Sequence, residues 1–274
     1  MDFNRRGIIY RSNGFELLQN EFAVNQIHLW CADENCIVKG PFYENLWSLL
    51  SEEEKIKSVT FIFEKDQHQY VITRAMIRLL LSHYYPEIDP KNWRFDKNFY
   101  GKPYVTNLEI CKAFRFNISH TAGLIVISVS TQCDIGVDVE CLNRKGNDLD
   151  IARYYFSKNE YEELNQLPQY EKRDRFIQLW TLKEAYIKAK GIGLSLALDS
   201  FSYRFQNDGK VTIAFNEAQS EDNPSNWRFW RFKFGQNHMI ALASHNENYR
   251  ANAQWEVQFK SVNLNSAYEI HSMF

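Results

Sequence analysis

The chain has 274 residues, of which 45% are hydrophobic and 15% aromatic, so it can bury a sizeable core and is not intrinsically disordered. It carries 32 Lys and Arg against 34 Asp and Glu, a net charge of -2, which argues against a protein that coats nucleic acids. Its longest apolar stretch, at about residues 124–129, is far shorter than the roughly 20 residues of a membrane-spanning helix. We therefore expect neither nucleic acid nor membrane among its partners.

Cysteine usage points to a reducing compartment. The cysteines form no Cys-x-x-Cys pair, and the first 20 residues lack the apolar segment of a signal peptide. An odd number of thiols without such a segment favours a cytoplasmic protein. The five cysteines are Cys31, Cys36, Cys111, Cys133 and Cys141.

The N-terminal part of the chain is predicted to combine strands with one long helix. That helix is amphipathic, places Arg74 and Arg78 one turn apart and is ended by Pro86, and Ser51 begins an acidic first turn in the helical segment before it. In chain order the predicted elements are a strand at 27–31, a helical segment at 43–63, a helix at 67–85, a turn at 101–103 and strands at 113–118 and 124–130.

The C-terminal part is predicted to repeat this mixture, which gives an α+β fold. Ser157, with Glu160 three residues later, forms a capping signal, and Gly191 ends the strongest helix of the chain. The polar residues 131–134 between two apolar runs are typical of a hairpin, so the runs on either side are expected to pair. The predicted elements are a strand at 135–140, helices ending at 155, at 157–164 and at 173–190, strands at 201–205, 211–215, 227–234 and 239–244, and an appended tail at 246–274.

The strand at 135–140 (IGVDVE) carries two carboxylates on one face. Residues two apart in a strand project together, so Asp138 and Glu140 share a side while Val137 and Val139 face the core. Two neighbouring carboxylates repel each other unless a cation lies between them, and oxygen ligands suit Mg²⁺. Taken alone, the pattern is more typical of a solvated edge strand than of a metal site.

The helix at 173–190 adds a third carboxylate and a cation. Glu184 and Lys188 are four residues apart and share a face with Trp180, so they are partly buried and need partners, which a metal-bound phosphate would supply. The alternative is an ordinary surface ion pair, which suits Lys183 and Lys190 better than Lys188.

A polar cluster ends the strand at 113–118. Ser119 and His120 can contact phosphate through a hydroxyl, an imidazole and main-chain N–H groups. A catalytic Ser–His pair is disfavoured, because adjacent residues seldom point at each other. A turn histidine bonded to the backbone is the alternative.

Three segments, in this order, resemble the motifs of the Sfp-type (group II) 4′-phosphopantetheinyl transferases: residues 116–120 (FNISH), 136–140 (GVDVE) and 180–188 (WTLKEAYIK). The turn 100–103 (YGKP) and the segment 191–195 (GIGLS) match as well. Any one of these motifs is weak, whereas the ordered set is specific. The resemblance extends from about residue 51 to residue 244.

The resemblance implies an enzyme that transfers the phosphopantetheine arm of coenzyme A (CoA) to a serine of an apo acyl or peptidyl carrier protein, releasing adenosine 3′,5′-bisphosphate. It implies a pseudo-twofold pair of similar α+β halves, with CoA and Mg²⁺ in the cleft between them. The halves would be residues 1–130 on the CoA side and 131–245 on the metal side, followed by the tail 246–274. A chain with both halves is expected to work as a monomer, and the motifs do not indicate which carrier protein it uses.

The resemblance also implies roles for individual residues. Glu184 would bind Mg²⁺ and help to deprotonate the serine, and Lys188 would stabilise the leaving phosphate. Lys57 aligns with one lysine of a family pair that contacts the 3′-phosphate, but Glu54 stands at the other position. The implied metal ligands are Asp138, Glu140 and Glu184; the implied CoA contacts are Lys57, Arg78, Tyr100, Gly101, Lys102, Pro103, Ser119 and His120. From their position alone, the basic and apolar residues near 183–190 and Ile192 are expected to form a docking surface for the carrier.

Three other classes of protein compete with this interpretation. A Mg²⁺-dependent nuclease would place a lysine two residues after an acid on a strand, and Leu142 stands at that position after Glu140. A non-catalytic CoA-binding or carrier-binding module would be expected to lose one of the acids or Lys188. A structural protein would leave the ordered motifs unexplained, so we favour the transferase.

Overall fold

Two β-sheets and two long helices organise the chain. A computed structural model describes residues 25–107, 114–144, 146, 148–216, 222–247, 255–263 and 269–273. Cys111 and the first residue of the strand predicted at 113–118 lie outside these ranges. Within the described part of the chain, no helix combines the length and the apolar character that crossing a membrane requires.

The first half begins with a strand and continues with three helices and four strands. The segment predicted as one helix at 43–63 is two helices, because a capping box starts a new one: Ser51 Oγ accepts a hydrogen bond from the N–H of Glu54, whose carboxylate accepts one from the N–H of Ser51. The elements are β1 (Gln26–Ala32), α1 (Pro41–Ser48), α2 (Glu52–Ser58), α3 (Glu64–Tyr84), β2 (Phe95–Lys97), β3 (Pro103–Val105), β4 (Arg115–Thr121) and β5 (Leu124–Ser130).

The second half has the same succession of elements. The predicted capping box of Ser157 and Glu160 is present, and Gly191 ends α6 in the left-handed conformation with φ 67°. The elements are β6 (Asp134–Cys141), α4 (Asp148–Tyr155), α5 (Lys158–Gln166), α6 (Gln169–Lys190), β7 (Phe201–Phe205), β8 (Val211–Phe215), β9 (Trp227–Phe234) and β10 (His238–His245).

The two halves also repeat each other in strand order, which gives the expected pseudo-twofold α+β fold. In the first sheet β1 is antiparallel to β5, which pairs with β4; in the second, β6 is antiparallel to β10, which pairs with β9. Apolar side chains between the two sheets form one core cluster, and the other face of each sheet packs against α3 or α6. Strand β5 is buried along its whole length, which explains its nearly continuous apolar sequence.

Two predictions about strand pairing are wrong. Strands β5 and β6 do not form a hairpin, because residues 131–134 carry the chain from one sheet to the other; β5 instead follows β4 through a turn at Gly123, where φ is +85°. The segment expected to be an appended tail contributes β11 (Glu256–Asn263) and β12 (Glu269–Met273), and β11 lies parallel to β1 in the first sheet.

Candidate active site

The two halves meet where β4 runs beside β6. These strands belong to different sheets, and side chains on β4 supply hydrogen bonds between them: Asn117 Oδ1 accepts from the N–H of Val137 (2.9 Å), and Ser119 Oγ accepts from the N–H of Val139 (3.3 Å). Both side chains are buried. The two hydrogen bonds fix the backbone on either side of Asp138. Because residues two apart in a strand project to the same side, Asn117 and Ser119 both face β6.

Asp138 joins this contact to helix α6. Its Oδ1 atom accepts a hydrogen bond from Ser119 Oγ (2.9 Å) and an ion-pair contact from Lys188 Nζ (2.7 Å), while Lys188 Nζ also donates to Ser119 Oγ (2.9 Å). Asp138 is only 6% exposed. The structure thus brings together residues from the three predicted motifs.

Gly136 is what lets α6 come so close to β6. A Cβ atom at this position would lie 2.1 Å from the carbonyl oxygen of Ala185 and 2.3 Å from the backbone nitrogen of Ala189. Any larger residue would push the helix away and with it the side chains of Glu184 and Lys188. The glycine before the two predicted acids is therefore part of the site, although the sequence pattern singled out only the acids.

Glu140 and Glu184 lie in the electrostatic field of Asp138. Burial, followed by repulsion from the Asp138 carboxylate, raises the pKa of Glu140 above its usual value; Arg144, a hydrogen bond from Trp180 and Lys188 partly oppose this. Burial and repulsion from Asp138 likewise raise the pKa of Glu184, partly opposed by Lys188. Three carboxyl groups that destabilise one another as anions favour a cation between them.

The carboxylates offer a suitable set of donors for a hard cation. Asp138 Oδ2 is buried and has no hydrogen-bond partner in the described part of the chain, which is costly for a carboxylate oxygen unless a cation completes it. Among the described residues, no three His, Cys, Asp or Glu side chains already stand together as a metal cluster. Because the available donors are carboxylate oxygens, they suit Mg²⁺ by chemical type, and the Lys188 ammonium is a second positive charge next to Asp138.

A cavity of about 310 Å³ opens beside these groups. Its walls come from the β2–β3 loop, from the middle of β4 and from the end of α6. The cavity thus lies between the two halves. It is lined by residues from both of the sides that were predicted to enclose CoA. The lining residues are Tyr100, Gly101, Lys102, Pro103, Asn117, Ile118, Glu184, Ile187, Lys188, Gly191 and Gly193.

Like Ser119, two further predicted phosphate contacts, His120 and Lys57, are not among the residues that line this cavity. His120 follows Ser119 at the end of β4, where partial burial and the nearby Lys188 ammonium lower its pKa. Lys57 is exposed on α2, and its Nζ lies 5.5 Å from the centre of the Tyr70 ring. Both stay predictions as CoA contacts.

The structure gives Arg78 a different role from the predicted nucleotide contact. Arg78 is 1% exposed, and its guanidinium donates to Glu54 (3.0 Å) and to the carbonyl oxygens of Pro90 (3.1 Å) and Trp93 (2.9 Å). Glu54 also accepts from Arg74 Nε at 2.7 Å. These hydrogen bonds occupy the guanidinium inside the fold and secure α3 to α2 and to the segment before β2; the nucleotide contact stays a prediction.

The structure places two further lysines that the sequence analysis singled out. Lys102 lines the cavity, and its Nζ donates to the carbonyl oxygens of Ala189 (2.8 Å) and Ile135 (3.2 Å); its contact with the adenine and ribose side of CoA stays a prediction. Lys183 is 0% exposed, pairs with Glu160 (2.8 Å) and cannot belong to a docking surface. The sequence analysis favoured a surface ion pair for Lys183; helical spacing turns it about 100° from Glu184 but does not show that this face is buried against α5.

Comparison with known proteins gives matches over both halves. Residues 134–243 match the family model described as 4′-phosphopantetheinyl transferase superfamily, and residues 41–132 match that described as 4′-phosphopantetheinyl transferase, N-terminal. The chain is 36% identical over 177 residues to 4′-phosphopantetheinyl transferase Sfp of Bacillus subtilis (strain 168), covering 65% of this chain and 76% of the relative. It is 38% identical over 174 residues to 4′-phosphopantetheinyl transferase ffp of Bacillus subtilis, covering 64% and 75%.

Among solved structures, the chain matches the holo-[acyl-carrier-protein] synthase (AcpS) from Neisseria meningitidis. The similarity has a TM-score of 0.36 at 17% sequence identity and covers 42% of this chain and 98% of that chain.

Proposed function

Because the chain belongs to the 4′-phosphopantetheinyl transferase family and transfers phosphopantetheine to carrier proteins, we propose that CoA is the donor of the phosphopantetheine. We further propose that the reaction requires Mg²⁺ and releases adenosine 3′,5′-bisphosphate as the co-product. The observation that carries the proposal is the contact of Lys188 with Asp138 and Ser119 beside the cavity between the halves. This contact unites one residue from each of the three motifs at the place where a substrate can enter.

The proposed metal ligands are Asp138, Glu140 and Glu184. Asp138 Oδ2, buried without a hydrogen-bond partner in the described part of the chain, would contact the ion. Burial and, after it, repulsion from Asp138 raise the pKa values of Glu140 and Glu184, and a divalent cation would offset both effects. When bound, Mg²⁺ would withdraw charge from the pyrophosphate of CoA. The three residues fit this ion by donor type, since all of them offer carboxylate oxygens.

The transfer step itself would use Glu184 and Lys188. The serine oxygen of the carrier forms a bond to the phosphorus of the pantetheine phosphate, its proton passes to Glu184 or to a water that Glu184 orients, and the bond to the 5′-phosphate of the nucleotide breaks. Lys188 stabilises the negative charge that the departing phosphate acquires. Burial and the neighbouring Asp138 carboxylate raise the pKa of Glu184, the direction that makes a carboxylate a better proton acceptor.

We propose the remaining CoA contacts on the other side of the cavity. The turn 100–103, which includes Lys102, lines its wall and would contact the adenine and ribose. Ser119 and His120, which lie beyond that wall on β4, would contact the phosphates. Lys57 is proposed as a further phosphate contact because it is exposed and carries no ion pair among the described residues.

We also propose that the protein works as a monomer of two halves and that it is located in the cytoplasm. The repeated order of helices and strands supports halves at 1–130 and 131–245 that build the cavity within one chain, and so a working monomer. The free thiols of the described cysteines suit a reducing compartment, which supports a cytoplasmic location.

Intact mass spectrometry of an apo carrier protein tests the proposal. The carrier would be incubated with the protein, CoA and Mg²⁺, with an EDTA control and carriers from several pathways. We expect a mass gain equal to the phosphopantetheine arm that EDTA abolishes. Transfer that persists in EDTA would refute the metal requirement, and CoA binding without transfer to any carrier would favour a binding module.

A further inference from the structure

The loop between β2 and β3 lies against the end of the catalytic helix. It spans residues 98–102, and it brings the first half's wall of the cavity to α6 of the second half. The loop closes on itself, since the N–H of Gly101 donates to the carbonyl oxygen of Asn98 (2.9 Å) and the N–H of Asn98 to that of Lys102 (3.0 Å). What holds this closed loop to α6 is a pair of side chains.

The Asn98 amide shapes the loop with its oxygen and attaches it with its nitrogen. Oδ1 accepts from the N–H groups of Tyr100 (3.0 Å) and Lys102 (2.9 Å), while Nδ2 donates to the carbonyl oxygen of Gly191 (2.6 Å). The two functions reside on different atoms, so a substitution can separate them.

The Lys102 ammonium provides the second attachment. It donates to the carbonyl oxygens of Ala189 on α6 (2.8 Å) and Ile135 on β6 (3.2 Å). The last carbonyls of a helix have no partner within the helix, and a cation there is favoured by the helix dipole. Lys102 therefore ties one loop of the first half to two elements of the second.

Gly191 is required for this close approach. A Cβ atom there would lie 2.8 Å from Lys102 Cδ and 3.1 Å from Asn98 Nδ2, and its φ of +67° disfavours other residues. Lys188 precedes the contact by less than one helical turn, and Asp138 follows Ile135 by three residues on β6. The loop thus contacts both elements that carry the catalytic charges.

We propose that Asn98 and Lys102 are positioning residues that fix the width of the catalytic cavity, by fastening its CoA-side loop to the elements that carry Lys188 and Asp138. In this role each side chain acts through the loop, holding Tyr100, Gly101 and Pro103 at a set distance from Lys188. The inference rests on the proposed function, because it assigns CoA to this cavity. Misplacement of a bound substrate by about 1 Å can cost on the order of 100-fold in rate.

The variant Asn98→Asp is the sharpest test. It keeps the two acceptor bonds that shape the loop and replaces the donor to Gly191 by a carboxylate oxygen that repels that carbonyl. Lys102→Met removes the second attachment, and Lys97→Met, an exposed lysine on the same hairpin, is the matched control. Transfer to one carrier would be followed with CoA and with 3′-dephospho-CoA, together with the melting temperature.

We expect Asn98→Asp and Lys102→Met each to raise the KM for CoA and the KM for 3′-dephospho-CoA by the same factor, roughly tenfold, and to leave the KM for the carrier unchanged. Because the two side chains fasten the same loop, the double variant should be little worse than either single variant. If Lys102→Met does not fold, Asn98→Asp decides alone. A loss confined to CoA would mean that Lys102 binds the 3′-phosphate directly, and variants that match Lys97→Met would mean no positioning role; either result overturns the inference. Absence of transfer by the unmodified protein would instead refute the proposed function.

Discussion

Lys188 and Asp138 form an ion pair across the two catalytic elements of the second half, with Nζ 2.7 Å from Oδ1 and with Oδ2 left buried and unpartnered in the described part of the chain. The ammonium therefore neutralises only one side of the carboxylate. A bound divalent cation and the ammonium would both interact with the Asp138 carboxylate, so each reduces the electrostatic stabilisation that the other gains from it.

Substitution Lys188→Met should strengthen Mg²⁺ binding in the absence of CoA. Removing the ammonium leaves Asp138, Glu140 and Glu184 without their nearby positive charge, so we expect the Kd for Mg²⁺ to fall several-fold while turnover is lost. Isothermal titration calorimetry measures the affinity. Lys190→Met is the control, because Lys190 pairs with Asp222 instead; weaker metal binding by Lys188→Met would contradict the arrangement.

Substitution Asp138→Asn should lower kcat at least about 100-fold and change CoA affinity little, because it removes a charge needed in the transition state rather than a nucleotide contact. Ser119 keeps an oxygen to donate to, so the fold should persist. Circular dichroism checks the fold and intact mass spectrometry the rate. Asp134→Asn, an exposed acid on the same strand, should behave like the unmodified protein, and an unfolded Asp138→Asn would refute this view of the site.

Substitution Arg78→Met should destabilise the fold by about 3 kcal/mol, because Glu54 loses one buried partner and the carbonyls of Pro90 and Trp93 lose their donor. Urea unfolding measures the loss. The exposed Arg94 provides a control, with Arg94→Met expected within about 0.5 kcal/mol of the unmodified protein. A stable Arg78→Met with weakened CoA binding would restore the nucleotide contact predicted from the motifs.

Stability should decrease as the pH falls from about 6.5 towards 4. Burial and the nearby Lys260 lower the pKa of His28 to about 3 and that of His83 to about 4, so both stay neutral in the folded protein while the unfolded chain takes up protons near pH 6.5. Each histidine contributes at most about 1.4 kcal/mol per pH unit in this window. Urea unfolding at several pH values should show a shallower dependence for His83→Gln, and an unchanged dependence would contradict the assignment.

Local signals in the sequence predicted the helices well. The capping boxes at Ser51 and Ser157 and the left-handed Gly191 depend on neighbouring residues alone, and the structure contains all three. Alternation along β6 likewise places Val137 and Val139 in the core. These features are decided within a few residues, which is the range that sequence patterns cover.

Features decided by distant contacts were not predictable in this way. Residues 131–134 have the composition of a hairpin turn, but the partners of β6 and β5 are set by sheet packing. Helical spacing marks which residues share a face, yet it does not reveal that Arg78 and Lys183 are satisfied by backbone carbonyls of distant segments. Chemical motifs found the carboxylates and Lys188; the loop attachments of Asn98 and Lys102 have no local signature.

The pairing of β11 with β1 has a consequence for synthesis. Gln26 lies opposite Glu256, so the ribosome must make more than 200 further residues before the first strand meets this neighbour. During that time the edge of β1 is open to other chains, a condition that favours aggregation. The last part of the chain to emerge thus completes the sheet that began first, and expression slowed late in translation would prolong the exposed state.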